Sequence, residues 1–278
     1  MANDRRRPKA RSTGATRPTV PRIRRAPDEV QAKDREDPAT VSSSIVRPGR
    51  RVGRPVVVSD FDGTLTGNDL GTLVLQRFGL PGWERHDELF DKGLIRIDEL
   101  IQKQSAMIRA RSQGEILRYV APLSRFRPGM GRLLQACARR GVDLVVASAG
   151  IDFCIRQAFR SNGLAMPKLY CPRTTFARSG LRVVMPFSPR LLERTGDRPS
   201  VDQNFKRAVV DLYQSRGRKV IFIGDGTTDI APSTIADKVF VIRGSPLERA
   251  CVERGIPHSS IRTLQPVARF VRVGPFGG

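Results

Sequence analysis

Apolar residues fall into two kinds of run along this chain. Four short stretches, residues 55–59 (PVVVS), 142–147 (VDLVVA), 219–223 (KVIFI) and 238–242 (KVFVI), are β-branched and nearly continuous rather than alternating. Parallel strands covered on both faces have this pattern. Between them the period changes to that of helices. Residues 130–140 place Leu133, Leu134 and Cys137 on one side before Gly141 ends the run. Ser245-Pro246-Leu247-Glu248 combines a capping box with proline at the first helical position. Strands alternating with helices predict an α/β fold, a doubly wound parallel Rossmann-like sheet.

The first two strands lie about 80 residues apart, far more than one crossover helix requires. Leu70, Leu73, Val74 and Phe78 recur at helical spacing inside this gap, as do Ile97, Leu100, Ile101 and Ile108. Ser112-Gln113-Gly114-Glu115 caps a further pattern at Ile116, Leu117 and Val120. An inserted helical cap of three or four helices is expected over residues 67–123, with the core at 53–66 and 124–275. Residues 169–176 and 181–185 read as the two strands of a hairpin turning at Ser179-Gly180. Residues 188–200 are polar and poorly patterned, and read as a mobile loop.

Composition changes the picture at the N-terminus. Residues 1–52 are rich in Arg, Pro, Ser and Thr with sparse apolar positions, the signature of a disordered basic tail. The chain carries a net charge of +22, of which about +13 remains beyond residue 54. Such charge implies non-specific polyanion contact through the tail, and no aromatic residue there could stack on bases. No apolar stretch approaches the ~20 residues of a membrane span. A secretory leader would need an apolar region that is missing, and Pro8, Pro18, Pro21 and Pro27 interrupt any amphipathic targeting helix. A cytoplasmic protein is expected. Cys137, Cys154, Cys171 and Cys251 are widely spaced, and only His86 and His258 could join them, so zinc is not indicated.

Candidate chemistry gathers where strands end. The first run delivers Asp60 and Asp62, the second Ser148-Ala149-Gly150, the third Gly224-Asp225 followed by Thr228 and Asp229. Lys206 opens the helical pattern before the third run. Ligands of open α/β sheets bind beyond the carboxyl ends of their strands. Taken singly, each of these is an ordinary turn or a surface lysine; their order and common position make them one site. Asp60 and Asp225 suit hard oxygen ligation of Mg²⁺. Gly63 permits the bend that lets Asp60 and Asp62 point differently. Asp60 could then attack phosphorus, while Asp62 protonates the leaving oxygen and later activates water. Ser148, backbone N–H groups near Gly150 and Lys206 would cradle phosphoryl oxygens. Asp69 either touches substrate from the cap or caps the helix beginning at Leu70.

With these residues assembled, the chain resembles the haloacid dehalogenase superfamily of phosphohydrolases. Asp60-Phe61-Asp62-Gly63-Thr64 is similar to its first motif, Ser148 to its second, Lys206 to its third, and Gly224-Asp225 with Asp229 to its fourth. The position of the cap points to the phosphoserine-phosphatase-like branch. SAGIDF (148–153), LYCPRTTFARSGLRVVMP (169–186) and GDGTTDIAPSTIAD (224–237) look most like its methionine-salvage phosphatases. The resemblance implies an aspartyl-phosphate intermediate on Asp60 and Mg²⁺ held by Asp60, the backbone carbonyl of Asp62, and Asp225. It implies Asp229 as a support behind the metal, and phosphate contacts from Gly63, Thr64, Ser148, Ala149, Gly150 and Thr228. The expected substrate is a small phosphorylated metabolite. Transfer to an acceptor alcohol, or polyanion binding on the same scaffold, are the alternatives. Specificity is expected from the cap, at Asp69 and Trp83.

Overall fold

The computed structural model describes residues 53–177, 180–186 and 205–274. The basic tail, Ser179 of the expected turn, the loop at 188–200 and the last core residue, 275, lie outside the described residues. In chain order the elements are β1 (Gly53–Ser59), α1 (Leu70–Phe78), α2 (Glu84–Asp91), α3 (Ile97–Met107), α4 (Gln113–Val120), α5 (Met130–Arg140), β2 (Asp143–Ala147), α6 (Asp152–Ser161) and β3 (Lys168–Tyr170). They continue with β4 (Arg173–Ala177), β5 (Gly180–Val184), α7 (Phe205–Ser215), β6 (Arg218–Gly224), α8 (Ile230–Ser233), β7 (Lys238–Ile242), α9 (Pro246–Glu253), β8 (Ser259–Ile261) and α10 (Gln265–Val273).

Six strands form one parallel sheet in the order β3-β2-β1-β6-β7-β8. β1 is central, pairing Val57 with Leu144 on one side and Ile221 on the other. Val56, Val57 and Val58 have no exposed surface. Val57, Val146, Ile221 and Ile223 pack against α5, α6 and α10, while Val56, Val58, Val145 and Phe222 pack against Val209, Val210 and Tyr213 of α7. Both faces are therefore covered, which is why the strand runs read as continuous. Each buried Val or Ile contributes roughly 1.5–3 kcal/mol. Among the described residues no helix is long and apolar enough to cross a membrane.

Three elements differ from the sequence reading. Residues 169–176 are not one strand, because Pro172 has no N–H for a ladder and the chain leaves the sheet after Tyr170. The first piece becomes β3, at the edge of the main sheet, and the second, β4, pairs antiparallel with β5. β8 was invisible as SSI, too short and polar to show a period. Helix α2, ERHDELFD, buries only Phe90 and so gives a weak apolar signal.

Four helices, α1 to α4, stand between β1 and α5 over the carboxyl end of the sheet. Phe90, Ile97, Leu100 and Ile101 form a small core with Phe205 of α7, Val183 of β5 and Met185. Both expected capping boxes reach one residue further back than the motif suggests. Ser112 and Ser245 accept the N–H of Glu115 and Glu248, but those glutamates accept from Arg111 and Gly244.

Candidate active site

β1 and β6 are neighbours, and the Asp60 N–H donates to the Ile223 carbonyl (2.9 Å), so Asp60 leaves the sheet beside β6, which ends one residue before Asp225. This is where strand order reverses, since β2 lies on the other flank of β1. The chain then turns sharply at Gly63, whose φ is +73°. A Cβ at Gly63 would collide with the Asp225 carboxylate, so glycine is required for closeness as well as conformation. The turn sends Asp62 away from Asp60 toward the cap. Its Oδ1 accepts the N–H of Leu70 at the start of α1 (2.8 Å), and its Oδ2 lies where a Cβ on Gly150 would sit.

Lys206, in the first turn of α7, is 1% exposed. Its Nζ donates to Asp60 Oδ1 (3.0 Å), Asp229 Oδ1 (2.7 Å) and Thr228 Oγ1 (2.9 Å). Burial alone would lower its pKa, but Asp229 and Asp60 outweigh burial and hold the ammonium charged. Asp229 has no exposed surface, and its Oδ2 accepts the backbone N–H groups of Asp225 (3.0 Å) and Gly226 (3.1 Å). Both oxygens of Asp229 are thus committed, one to Lys206 and one to the loop that carries Asp225.

One oxygen from each of Asp60, Asp225 and Asp229 lies within 4.8 Å of the others, close enough to ligate a single cation. The hydrogen bonds divide them: Asp60 and Asp225 retain lone pairs facing the cavity, whereas Asp229 braces from behind. Charge balance also favours a cation. Burial, and then Asp229, push Asp60 well above the usual carboxylate range despite Lys206. Asp225 is pushed up to about 6, again by burial first and Asp229 second. Burial, followed by the charge of Asp69, raises Asp62 against the pull of the Leu70 N–H. One lysine does not neutralise this group of acids. Hard oxygen donors with surplus negative charge fit a divalent cation such as Mg²⁺.

A cavity of about 410 Å³ opens above these residues. Asp60, Asp62, Ser148, Ala149, Gly150, Lys206, Asp225 and Thr228 all line it, so the structure brings together acids, lysine and turn as one site. The Ser148 Oγ accepts the Gly150 N–H (3.0 Å), which leaves the serine proton, rather than that amide, to meet a ligand. Gly63 and Thr64 sit against Asp225. Neither lines the cavity; Thr64 is fully buried and its Oγ1 donates to Asp225 Oδ1, so both shape the position of Asp225. Asp69 caps the first helix of the insert, its Oδ1 accepting the Thr72 N–H (2.7 Å), and it also faces the cavity.

The cap supplies the roof. Leu75, Phe90, Leu100, Ile101 and Ile108 make an apolar wall, interrupted by Gln104, which donates to Asp87 (2.9 Å). Asp91 accepts from Thr227 Oγ1 across the cavity mouth (3.3 Å), a direct link between cap and core. Asp87, Asp91 and Gln104 gave no separate signal, because polar residues on amphipathic helices ordinarily face solvent. Trp83 is not among the lining residues. It is 9% exposed and packs in the apolar core against the end of α1, so its place is structural.

The family described as haloacid dehalogenase-like hydrolase matches residues 57–231, more than half of the chain. The chain belongs to that family. As a haloacid dehalogenase-like hydrolase it is 28% identical over 217 residues to a 2-hydroxy-3-keto-5-methylthiopentenyl-1-phosphate phosphatase from Brevibacillus brevis, covering 78% of this chain and 95% of the relative. A protein of the same description from Geobacillus kaustophilus is 28% identical over 215 residues, covering 75% and 91%. Among solved structures, a phospho-aspartyl intermediate analogue of phosphoserine phosphatase superposes with a TM-score of 0.57 at 15% identity, covering 78% of this chain and 98% of that one. A HAD family hydrolase from Salmonella enterica serovar Typhi gives 0.59 at 14% identity, covering 80% and 73%. At these identities the superpositions show a shared fold. Family membership and the carboxylate cluster together make this haloacid dehalogenase-like hydrolase an enzyme equipped for aspartate-based phosphomonoester chemistry.

Proposed function

We propose that the chain hydrolyses a small phosphomonoester at Asp60 with Mg²⁺ bound. The observation that carries this reading is Lys206, buried at the cavity floor and joined to both Asp60 and Asp229. A buried ammonium 3.0 Å from a carboxylate opposes the burial that raises it, favouring the ionised form, and shields it from an incoming phosphate dianion. Asp60 forms a bond to phosphorus as the ester P–O bond breaks. Asp62, whose carboxyl is raised by burial and held by the Leu70 N–H, acts as the acid that gives a proton to the departing alkoxide. Asp62, now a carboxylate, takes a proton from water as that water attacks the aspartyl phosphate, restoring Asp60 and releasing phosphate. The Ser148 hydroxyl and the Lys206 ammonium steady the phosphoryl oxygens. Asp60, Asp225 and the carbonyl of Asp62 would hold Mg²⁺, which supplies charge neutralisation at the phosphoryl group.

Steady-state phosphate release from a panel of phosphomonoesters tests this, with p-nitrophenyl phosphate and 2-hydroxy-3-keto-5-methylthiopentenyl-1-phosphate included. Absence of phosphate release from every member, with Mg²⁺ present, would overturn it. The second compound leads the panel because the relatives are named for it and its methylthio end suits the wall of Leu75, Phe90, Leu100, Ile101 and Ile108. Gln104→Ala is expected to lower kcat/KM for the preferred metabolite roughly 10-fold or more while changing p-nitrophenyl phosphate turnover little, because the lost contact is remote from phosphorus. Parallel losses on both substrates would remove Gln104 from recognition.

Proton competition gives a further expectation. Asp225 is raised to about 6, so protons compete for this carboxylate as pH falls through that value. The Mg²⁺ concentration for half-maximal activity should rise steeply below pH 6.5 or so and flatten above it. The same raised value means that ionised Asp225 weakens the metal-free fold: the stability present when it is protonated is lost as pH rises through about 6. Asp225→Asn should therefore raise the melting temperature of metal-free protein at pH 7.5 by roughly 2–5 °C while removing the stabilisation that added Mg²⁺ confers. A lower melting temperature would contradict the charge argument.

We also assign the arginines of residues 1–52 to non-specific polyanion contact, and place the protein in the cytoplasm. The four free cysteines support a reducing compartment, with the burial of Cys154 and Cys171 raising both thiols.

A further inference from the structure

The two segments that join the helical insert to the sheet run side by side. The Gly67 N–H donates to the Arg125 carbonyl (3.1 Å) and the Arg127 N–H to the Leu65 carbonyl (2.7 Å), with an antiparallel bridge between Thr66 and Phe126. The side chain of Arg127 then reaches past this pair. Its Nε donates to the Thr64 carbonyl (2.9 Å), one terminal nitrogen to the Gly63 carbonyl, and the other to the Arg262 carbonyl (3.2 Å). Three carbonyls from two distant segments are held by one rigid fork, a task that the single ammonium of lysine cannot reproduce.

Two of those carbonyls, of Gly63 and Thr64, belong to the turn that shapes the site. Gly63 packs against the Asp225 carboxylate, and Thr64 donates a hydrogen bond to it. Asp60 and Asp62 immediately precede the same turn. Among the described residues Arg127 has no carboxylate in a salt bridge, and burial pushes its pKa down while Asp225 raises it. A half-buried guanidinium satisfied by main-chain carbonyls is an expensive way to staple a loop unless the loop must be fixed closely. The site needs that: displacing reacting groups by about 1 Å costs roughly 100-fold in rate.

We propose that Arg127 is a positioning residue, which locks the Gly63–Thr64 turn so that movement of the insert about its paired linkers does not displace Asp60, Asp62 or Asp225. The inference rests on the phosphohydrolase reading of this site. It predicts a rate effect and a metal effect together, because the turn serves the acids on both strands.

The test compares Arg127→Lys and Arg127→Met with wild type in full-length protein, using p-nitrophenyl phosphate kinetics and Mg²⁺ calorimetry. The expected result is a kcat lowered roughly 10- to 100-fold with KM within about threefold, and weaker Mg²⁺ binding in both variants. Lysine should restore only a minor part of the loss, and added guanidinium ion should partly rescue Arg127→Ala. Asn68→Ala is the control. It removes another side-chain bond between the same linkers, Nδ2 to the Leu123 carbonyl (3.3 Å), and should leave kcat within about twofold. Variants with lowered melting temperature but wild-type kcat and Mg²⁺ affinity would overturn the proposal and leave Arg127 a structural staple. Equal losses in Asn68→Ala would overturn it too. If wild type hydrolyses no phosphomonoester, the functional reading fails separately, and unchanged Mg²⁺ affinity in Arg127→Lys would still count against the positioning role.

Discussion

Asp60→Asn is expected to abolish turnover, with phosphate release from p-nitrophenyl phosphate falling by at least about a thousandfold and no burst of covalent phosphoenzyme. The amide keeps the size of the side chain, so the Lys206 contact and the packing around it survive in form. What disappears is the negative charge that makes the carboxylate oxygen a nucleophile toward phosphorus. Removing this buried carboxylate, whose pKa burial and Asp229 raise, also relieves repulsion, so the variant should fold at least as well as wild type. Trapping with beryllium fluoride and Mg²⁺ makes the test direct: wild type should acquire the adduct and Asp60→Asn should not. A folded Asp60→Asn that retains a tenth of wild-type turnover would place the nucleophile elsewhere.

The second large effect should come from Lys206. Truncation to alanine leaves Asp60 and Asp229 facing each other without the cation that separates them, in a region where Lys206 itself is 1% exposed. Removing one partner of such a buried group costs about 3–5 kcal/mol. The rate should fall by roughly 100- to 1000-fold, as for the loss of a preorganised charge at a reacting oxyanion. The two effects separate by experiment. Lys206→Arg retains charge but cannot seat a fork where three bonds converge on one nitrogen, so stability should recover more than activity. Melting curves and kcat measured on the same preparations decide the matter, and a near-normal kcat in folded Lys206→Ala would remove the lysine from the chemistry.

Much of this arrangement was readable in the sequence for identifiable reasons. Strands buried on both faces leave unbroken runs of Val and Ile, and the four such runs are β1, β2, β6 and β7. Acids at the ends of such strands are conspicuous because nothing in a sheet calls for them, so Asp60, Asp62 and Asp225 stood out. Lys206 stood out by company rather than by context. β8 was not readable, as three residues cannot express a period, and β3 was absorbed into the hairpin because Pro172 separates two apolar pieces only once their partners are known. The contacts of Gly63 and Thr64 with Asp225, 161 residues beyond Thr64, are legible only once that neighbour is in place. Arg127 was silent for a further reason: it recognises backbone carbonyls, which every residue has, so its partners carry no mark. Trp83 suggests recognition as a lone tryptophan near a binding region, whereas its ring packs in the core beside Gly79 at the end of α1 and does not line the cavity.

The antiparallel bridge between Thr66 and Phe126 has an architectural consequence. The insert leaves and re-enters the core through adjoining points, so its removal would open a gap that a tight turn of a few residues can span. The sheet needs nothing from the insert to set its strand order, since β1 pairs with β2 and β6 wholly within the core. The insert is therefore joined to the core at one narrow place: helices grafted between residues 67 and 125 would change what the floor of the cavity is offered, provided the graft restores a backbone N–H for Asp62 in place of that of Leu70.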